Sequence, residues 1–133
     1  MTEGPAMTVL VAYNDSPQGE TAFRAAVAEA VHRSTALAVL VLTPQDAEAG
    51  VPATLAHLLD TLPAEVARPE VSYRSEHLDP AEAIIDEAER TAPDLVVVGA
   101  RKRSPVGKFL LGSTTQRVLL DSPVPVLVVK ASH

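Results

Sequence analysis

The chain has no cysteine, which excludes a disulfide framework, a cysteine-ligated zinc or iron–sulfur centre, and thiol catalysis. Aromatic residues are scarce: Tyr13, Phe23, Tyr73 and Phe109 are the four present, too few for a base-stacking platform for single strands. Nucleic acid is therefore not an expected partner. No apolar run approaches the roughly 18 residues of a membrane span, so membrane insertion is not expected. The first seven residues carry Glu3 and lack a basic stretch followed by an apolar one. They do not read as a secretory leader, and residues 1–6 read as a disordered N-terminus. A cytoplasmic protein is the expectation.

Apolar residues make up 47% of the 133, so the core must be built from Val, Leu, Ile and Ala. A chain of this length suits one domain, taken as residues 7–131. The net charge of −6 is unevenly spread. Residues 1–98 carry −11 and residues 99–133 carry +5, with Arg101, Lys102, Arg103, Lys108 and Arg117 falling in a stretch that has no acid. A local basic segment on an acidic domain suits a small anionic ligand; a solvated loop is the alternative.

Short β-branched runs alternate with helical stretches. Val9–Tyr13 reads as a buried strand, and Ser16-Pro17 as the cap and first turn of a helix with an Ala22, Phe23, Ala26, Val27, Ala30, Val31 stripe. Ala36–Leu42 reads as a strand buried on both faces, Thr43–Gly50 as a polar loop, and Pro52–Leu62 as an amphipathic helix. Val71–Arg74 is a weak strand near an edge. Asp79-Pro80-Ala81-Glu82 opens a helix to Thr91, with the Arg90 stem inward and an Asp86–Arg90 pair. Leu95–Val98 is a strand ending at Gly99. A helix from Ser113 to Asp121 and a strand from Val124 to Val129 complete the chain. Continuous apolar strands alternating with helices predict an α/β fold, a three-layer domain with a five-stranded parallel sheet and helices on both faces. Ligands of such sheets sit at the carboxyl ends of the strands.

Gly112-Ser113-Thr114-Thr115 opens a helix, whose free N–H groups and dipole suit phosphate. Ser113-Thr114-Thr115-Gln116 equally fits a capping box, with Ser113 as the cap and Gln116 reaching back. Both readings are open on spacing alone. Gly107-Lys108 is followed by Phe109, so there is no Walker loop. No Gly-x-Ser-x-Gly elbow and no metal-ligand spacing among His32, His57, His77 and His133 occurs. Catalysis is not expected.

The stretch VVVGARKRSPVGKFLLGSTTQRVLLDSPVPVLVVK, residues 96–130, resembles the C-terminal region of universal stress proteins, and VLVAYNDSPQGETAFRAA resembles their N-terminal segment. The resemblance implies an adenine-nucleotide alpha hydrolase-like, Rossmann-like fold with strand order 3-2-1-4-5. It also implies a stress-response role, and in some members the binding of ATP or another adenine nucleotide, with magnesium arriving on the nucleotide. Members with ATP carry Gly, two residues, Gly, nine residues, then Gly-Ser or Gly-Thr. Gly99 and Gly112-Ser113 match, whereas Lys102 stands in the second glycine position. Lysine in a left-handed glycine position costs roughly 1–2 kcal/mol, so the loop takes another path or the Lys102 amine meets phosphate itself.

The resemblance further places Asn14 at the usual acidic ribose position, Asp15 at the glycine after it, Leu42 at the adenine-side backbone and Val98 beside the ring. Thr114 and Thr115 join the phosphate contacts, with Arg101 and Arg103 as further anion contacts. It also implies a homodimer through the last strand, with Val124, Val126, Leu127, Val128 and Val129 at an unprotected sheet edge. A protein-interaction module that binds no nucleotide is the alternative.

Overall fold

The computed structural model describes residues 7–44, 50–101 and 111–131. Nine elements follow one another: β1 (Thr8–Tyr13), α1 (Pro17–Arg33), β2 (Ala36–Val41), α2 (Ala53–Asp60), β3 (Glu70–Tyr73), α3 (Pro80–Thr91), β4 (Leu95–Arg101), α4 (Ser113–Asp121) and β5 (Val126–Ala131). The sheet is parallel, in the order β3-β2-β1-β4-β5. β1 is central because it is apolar on both faces. Val9, Val11 and Tyr13 pack with α1 and α2, while Leu10 and Ala12 pack with α3 and α4. The period of two along β1 thus separates two cores, one on each side of the sheet. No described helix is long and apolar enough to cross a membrane.

Helix starts follow the sequence where a side chain can reach back. Ser16 Oγ accepts from the Gly19 amide at 3.0 Å and caps α1. Asp79 and Glu82 form the full capping box of α3, with Pro80 in its first turn. The C-terminal half of α3 differs from expectation. Arg90 is exposed and pairs with Glu87 at 2.7 Å rather than with Asp86. Ala81, Ala83, Ile84, Ile85 and Ala88 already fill the inner face, so no room is left for its stem.

Two strand ends are also corrected. β4 does not stop at Gly99 but runs to Arg101, because β5 pairs alongside it as far as Ala131. β5 begins at Val126, so Val124 is not a strand residue. There Ser122 Oγ donates to the Val124 carbonyl at 2.7 Å and accepts from its amide at 3.2 Å, folding the chain into a turn. Pro125 precedes the strand too, and its carbonyl accepts from the Val96 amide at 2.9 Å. β5 does lie at the sheet edge.

Tyr13 closes the inner core. Its ring meets Phe23 edge-on at 6.4 Å and its hydroxyl lies 2.8 Å from Thr54 Oγ1. Burial raises its pKa above 10.0; the Thr54 hydrogen bond opposes this, and the charges of Asp15 and Glu20 add to the rise.

Candidate functional site

Two glycines let the first turn of α1 settle against the carboxyl ends of the central strands. A Cβ at Gly19 would fall 1.9 Å from the Asn14 carbonyl oxygen, and one at Gly99 would fall 2.1 Å from that of Gln18. Only glycine permits approaches this close. Gly99 therefore has a packing role that its place in a phosphate motif did not suggest. The consequence is a cleft of about 500 Å³ where the strand order reverses, between β1 and β4.

Asn14, Leu42, Val98, Gly99, Gly112, Ser113, Thr114 and Thr115 all line this cleft, so the structure brings most of the sequence-derived residues together. Asp15 is exposed and is not among the lining residues. Asn14 faces the cleft but is occupied by the β1–α1 turn: its Oδ1 accepts from Ser16 Oγ and its carbonyl accepts from the Ser16 amide. Lys102, Arg103 and the Arg101 side chain lie outside the described residues, as do residues 1–6 and 45–49. Arg117, a further member of the basic segment, is turned to other work. It reaches Asp79 at 3.4 Å, Asp121 at 3.6 Å and Glu82 at 3.9 Å, bracing α4 against α3. All four side chains are about half exposed, so each contact is weak.

The start of α4 forms one end of the cleft. Its cap is Gly112, one residue earlier than the capping box required, and no side chain among the described residues caps its first turn. Gln116 does not reach back to Ser113; its Nε2 donates to the Leu111 carbonyl at 2.8 Å. Ser113 has become the first helical residue, and from there its hydroxyl cannot act as the cap. Among the described residues, the opening amides of α4 are thus left without the side-chain acceptors that α1 and α3 have. A Cβ at Gly112 would meet nothing within 4 Å, so open space adjoins this turn.

Several lining residues were not foreseen. Gln18, in the first turn of α1, has a buried Oε1 with no hydrogen-bond partner among the described residues. Arg74 lies just past β3 and joins the lining, as do Pro44, Pro80 and Ile84. Nothing in the local sequence announces either, because both reach the cleft through helix placement and strand order. No acidic side chain is among the lining residues described, although the chain as a whole is acidic. Free amides, hydroxyls and one guanidinium favour an anion.

These features agree with three comparisons. A universal stress protein of Mycolicibacterium smegmatis is 36% identical over 131 residues, covering 92% of this chain and 96% of that one. A universal stress protein structure from Archaeoglobus fulgidus superposes with a TM-score of 0.73 at 27% identity, covering 93% of this chain and 98% of the other. One from the same organism in complex with dAMP gives 0.69 at 24% identity, with the same coverage of both chains. The model of the universal stress protein family matches residues 6–130. With the strand order, the switch-point cleft and nearly the full length in agreement, the chain belongs to the universal stress protein family.

Proposed function

We propose that the cleft binds an adenine nucleotide such as ATP or AMP as a regulatory ligand, and that the protein acts by presenting the loaded or empty state to a partner. The observation that carries this reading is the uncapped start of α4 opening onto a 500 Å³ cleft without acidic lining. Phosphate would take the amides of Ser113, Thr114 and Thr115 and their hydroxyls. Gln18 lines the cleft with a buried, unpartnered Oε1, and rotation of its amide toward the cleft would offer a ribose hydroxyl an acceptor, the role that a carboxylate at position 14 would otherwise have. The apolar walls at Leu42, Val98, Pro80 and Ile84 suit a flat ring. The dAMP held by the Archaeoglobus fulgidus protein shows that this fold has room for such a ligand.

Binding rather than turnover is the reading, since no His, Asp or Glu among the described lining residues could serve as a base. Magnesium would be carried by the phosphates, because no carboxylate lines the cleft among those residues. Denaturing freshly purified protein and resolving the released small molecules by ion exchange at 260 nm tests the reading. Near-stoichiometric adenine nucleotide is expected. Protein stripped of ligand should gain about 2.7 kcal/mol of stability at a nucleotide concentration 100 times Kd. No released nucleotide, together with an unchanged melting temperature at millimolar ATP, would favour the nucleotide-free interaction module.

Pairing of two chains through β5 is a second element of the reading. β5 is an edge strand with Val126, Leu127, Val128 and Val129 only half-buried, and Leu119 and Leu120 of the neighbouring α4 are exposed. An apolar edge of this kind is protected by pairing with its own copy. Sedimentation velocity should give a two-chain species; a monomer at tens of micromolar would contradict it.

A further inference from the structure

Arg74 is the one charged side chain among the described lining residues, and it makes no ion pair with any of them. Its Nε donates to the Leu42 carbonyl at 2.6 Å and its Nη1 to the Leu78 carbonyl at 2.6 Å. Two backbone carbonyls thus fix the guanidinium, and three of its five hydrogens remain for a ligand. It cannot shed its charge. A half-buried cation with no carboxylate partner among the described residues, fixed at the wall of a cleft, calls for an acceptor from outside.

The Leu42 backbone stands beside it in the complementary state. Its amide donates to the Tyr13 carbonyl at 2.8 Å, so that donor is spent. Its carbonyl oxygen has a second lone pair beyond the one Arg74 engages. The anion-favouring turn at Gly112–Thr115 lies where α4 begins, whereas Leu42 and Leu78, the two residues Arg74 bonds to, pack in one apolar cluster with Ile84. The edge of a ring seated there meets an acceptor, the Leu42 carbonyl, next to a donor, the Arg74 guanidinium.

We infer that Arg74 is a specificity-determining residue of the cleft: with the Leu42 carbonyl it reads the N6–H and N1 edge of adenine. Arg74 donates to N1 while Leu42 accepts from N6. This rests on the nucleotide reading above. Hypoxanthine reverses both partners, setting O6 against a carbonyl and N1–H against a guanidinium, and a cleft wall is a poor place for mismatched polar groups. Because the two carbonyls hold Arg74 before the ligand arrives, little ordering is left for binding.

Titration of AMP, IMP and 1-deaza-AMP into the unmodified protein and into Arg74→Met tests it. The unmodified protein should bind AMP about 10-fold to 100-fold more tightly than 1-deaza-AMP, which keeps N6 and lacks only the N1 acceptor, and should also prefer AMP to IMP. Arg74→Met should bind AMP and 1-deaza-AMP alike, with AMP weakened by the same factor. If Arg74→Met weakens both by one factor and keeps their ratio, Arg74 only ties β2 to the start of α3, and the inference is overturned. An unmodified protein that binds AMP without distinguishing 1-deaza-AMP overturns it as well, and that comparison needs no variant to fold. Failure of the unmodified protein to bind any of the three overturns the nucleotide reading and the inference with it.

Discussion

Gly112→Asp is expected to leave the protein folded and slightly more stable while lowering adenine-nucleotide affinity by about 100-fold or more. The two effects have opposite signs because they come from the same atoms. Gly112 caps α4 with φ −69 and ψ 165, which any residue adopts, and a Cβ there meets nothing within 4 Å. Aspartate is a better cap than glycine by a few tenths of a kcal/mol, and its charge suits a helix N-terminus. The carboxylate would take the amides that phosphate needs and set a negative charge beside it. Two unit charges about 4 Å apart repel by about 4 kcal/mol at an effective dielectric of 20. Gly112→Ser, a neutral cap, should gain similar stability and lose less affinity, by about tenfold. Thermal denaturation and nucleotide titration on the same preparations check both halves. Undiminished affinity in Gly112→Asp would mean that phosphate does not sit at α4.

Gly99→Ala is expected to be the most damaging of the single-methyl changes along β4. The new Cβ would lie 2.1 Å from the Gln18 carbonyl oxygen and 2.7 Å from its carbon. Those are backbone atoms of the first turn of α1, which the Ser16 cap holds in place, so no side chain can swing aside. Overpacking typically costs about 1–3 kcal/mol, and a backbone obstacle puts the cost at or above the top of that range. A loss of about 3 kcal/mol would lower the melting temperature by about 10 °C. Moving α1 off β4 would also reshape the cleft, so nucleotide affinity should fall with stability, unlike the split expected for Gly112→Asp. A Gly99→Ala protein with unchanged melting temperature would mean that α1 and β4 do not approach in this way.

The contrast between these two glycines shows what the sequence discloses. Strands β1, β2 and β4 are legible because Val, Leu and Ala in unbroken runs have only one place to go in an α/β domain, the middle of the sheet. The caps of α1 and α3 are legible because they are local: Ser16 and Asp79 bond to amides three residues away. Gly112 gave no such local answer, since the sequence fits a box capped by Ser113 and a phosphate turn alike. Three-dimensional placement separated the two, leaving the α4 amides uncapped at a cleft.

Other site features depend on partners distant in sequence. Gly99 is needed because of Gln18, and Arg74 joins the cleft because it bonds to Leu42, 32 residues away. The end of β4 was misjudged because glycine reads as a strand terminator, whereas here it marks a close approach within a strand that continues to Arg101. Asp15, which the resemblance sets next to the ribose position, is left exposed by the β1–α1 turn and does not line the cleft. The unpartnered acceptor beside the cleft is instead on Gln18, in the first turn of α1.

The most direct test of nucleotide binding in the cleft is a two-dimensional NMR titration of isotope-labelled protein with AMP. Saturable amide shifts concentrated at Asn14, Leu42, Gly99, Gly112, Ser113 and Thr114 are the expected result. Shifts confined to β5 and the outer side of α4, or none at millimolar AMP, would contradict it.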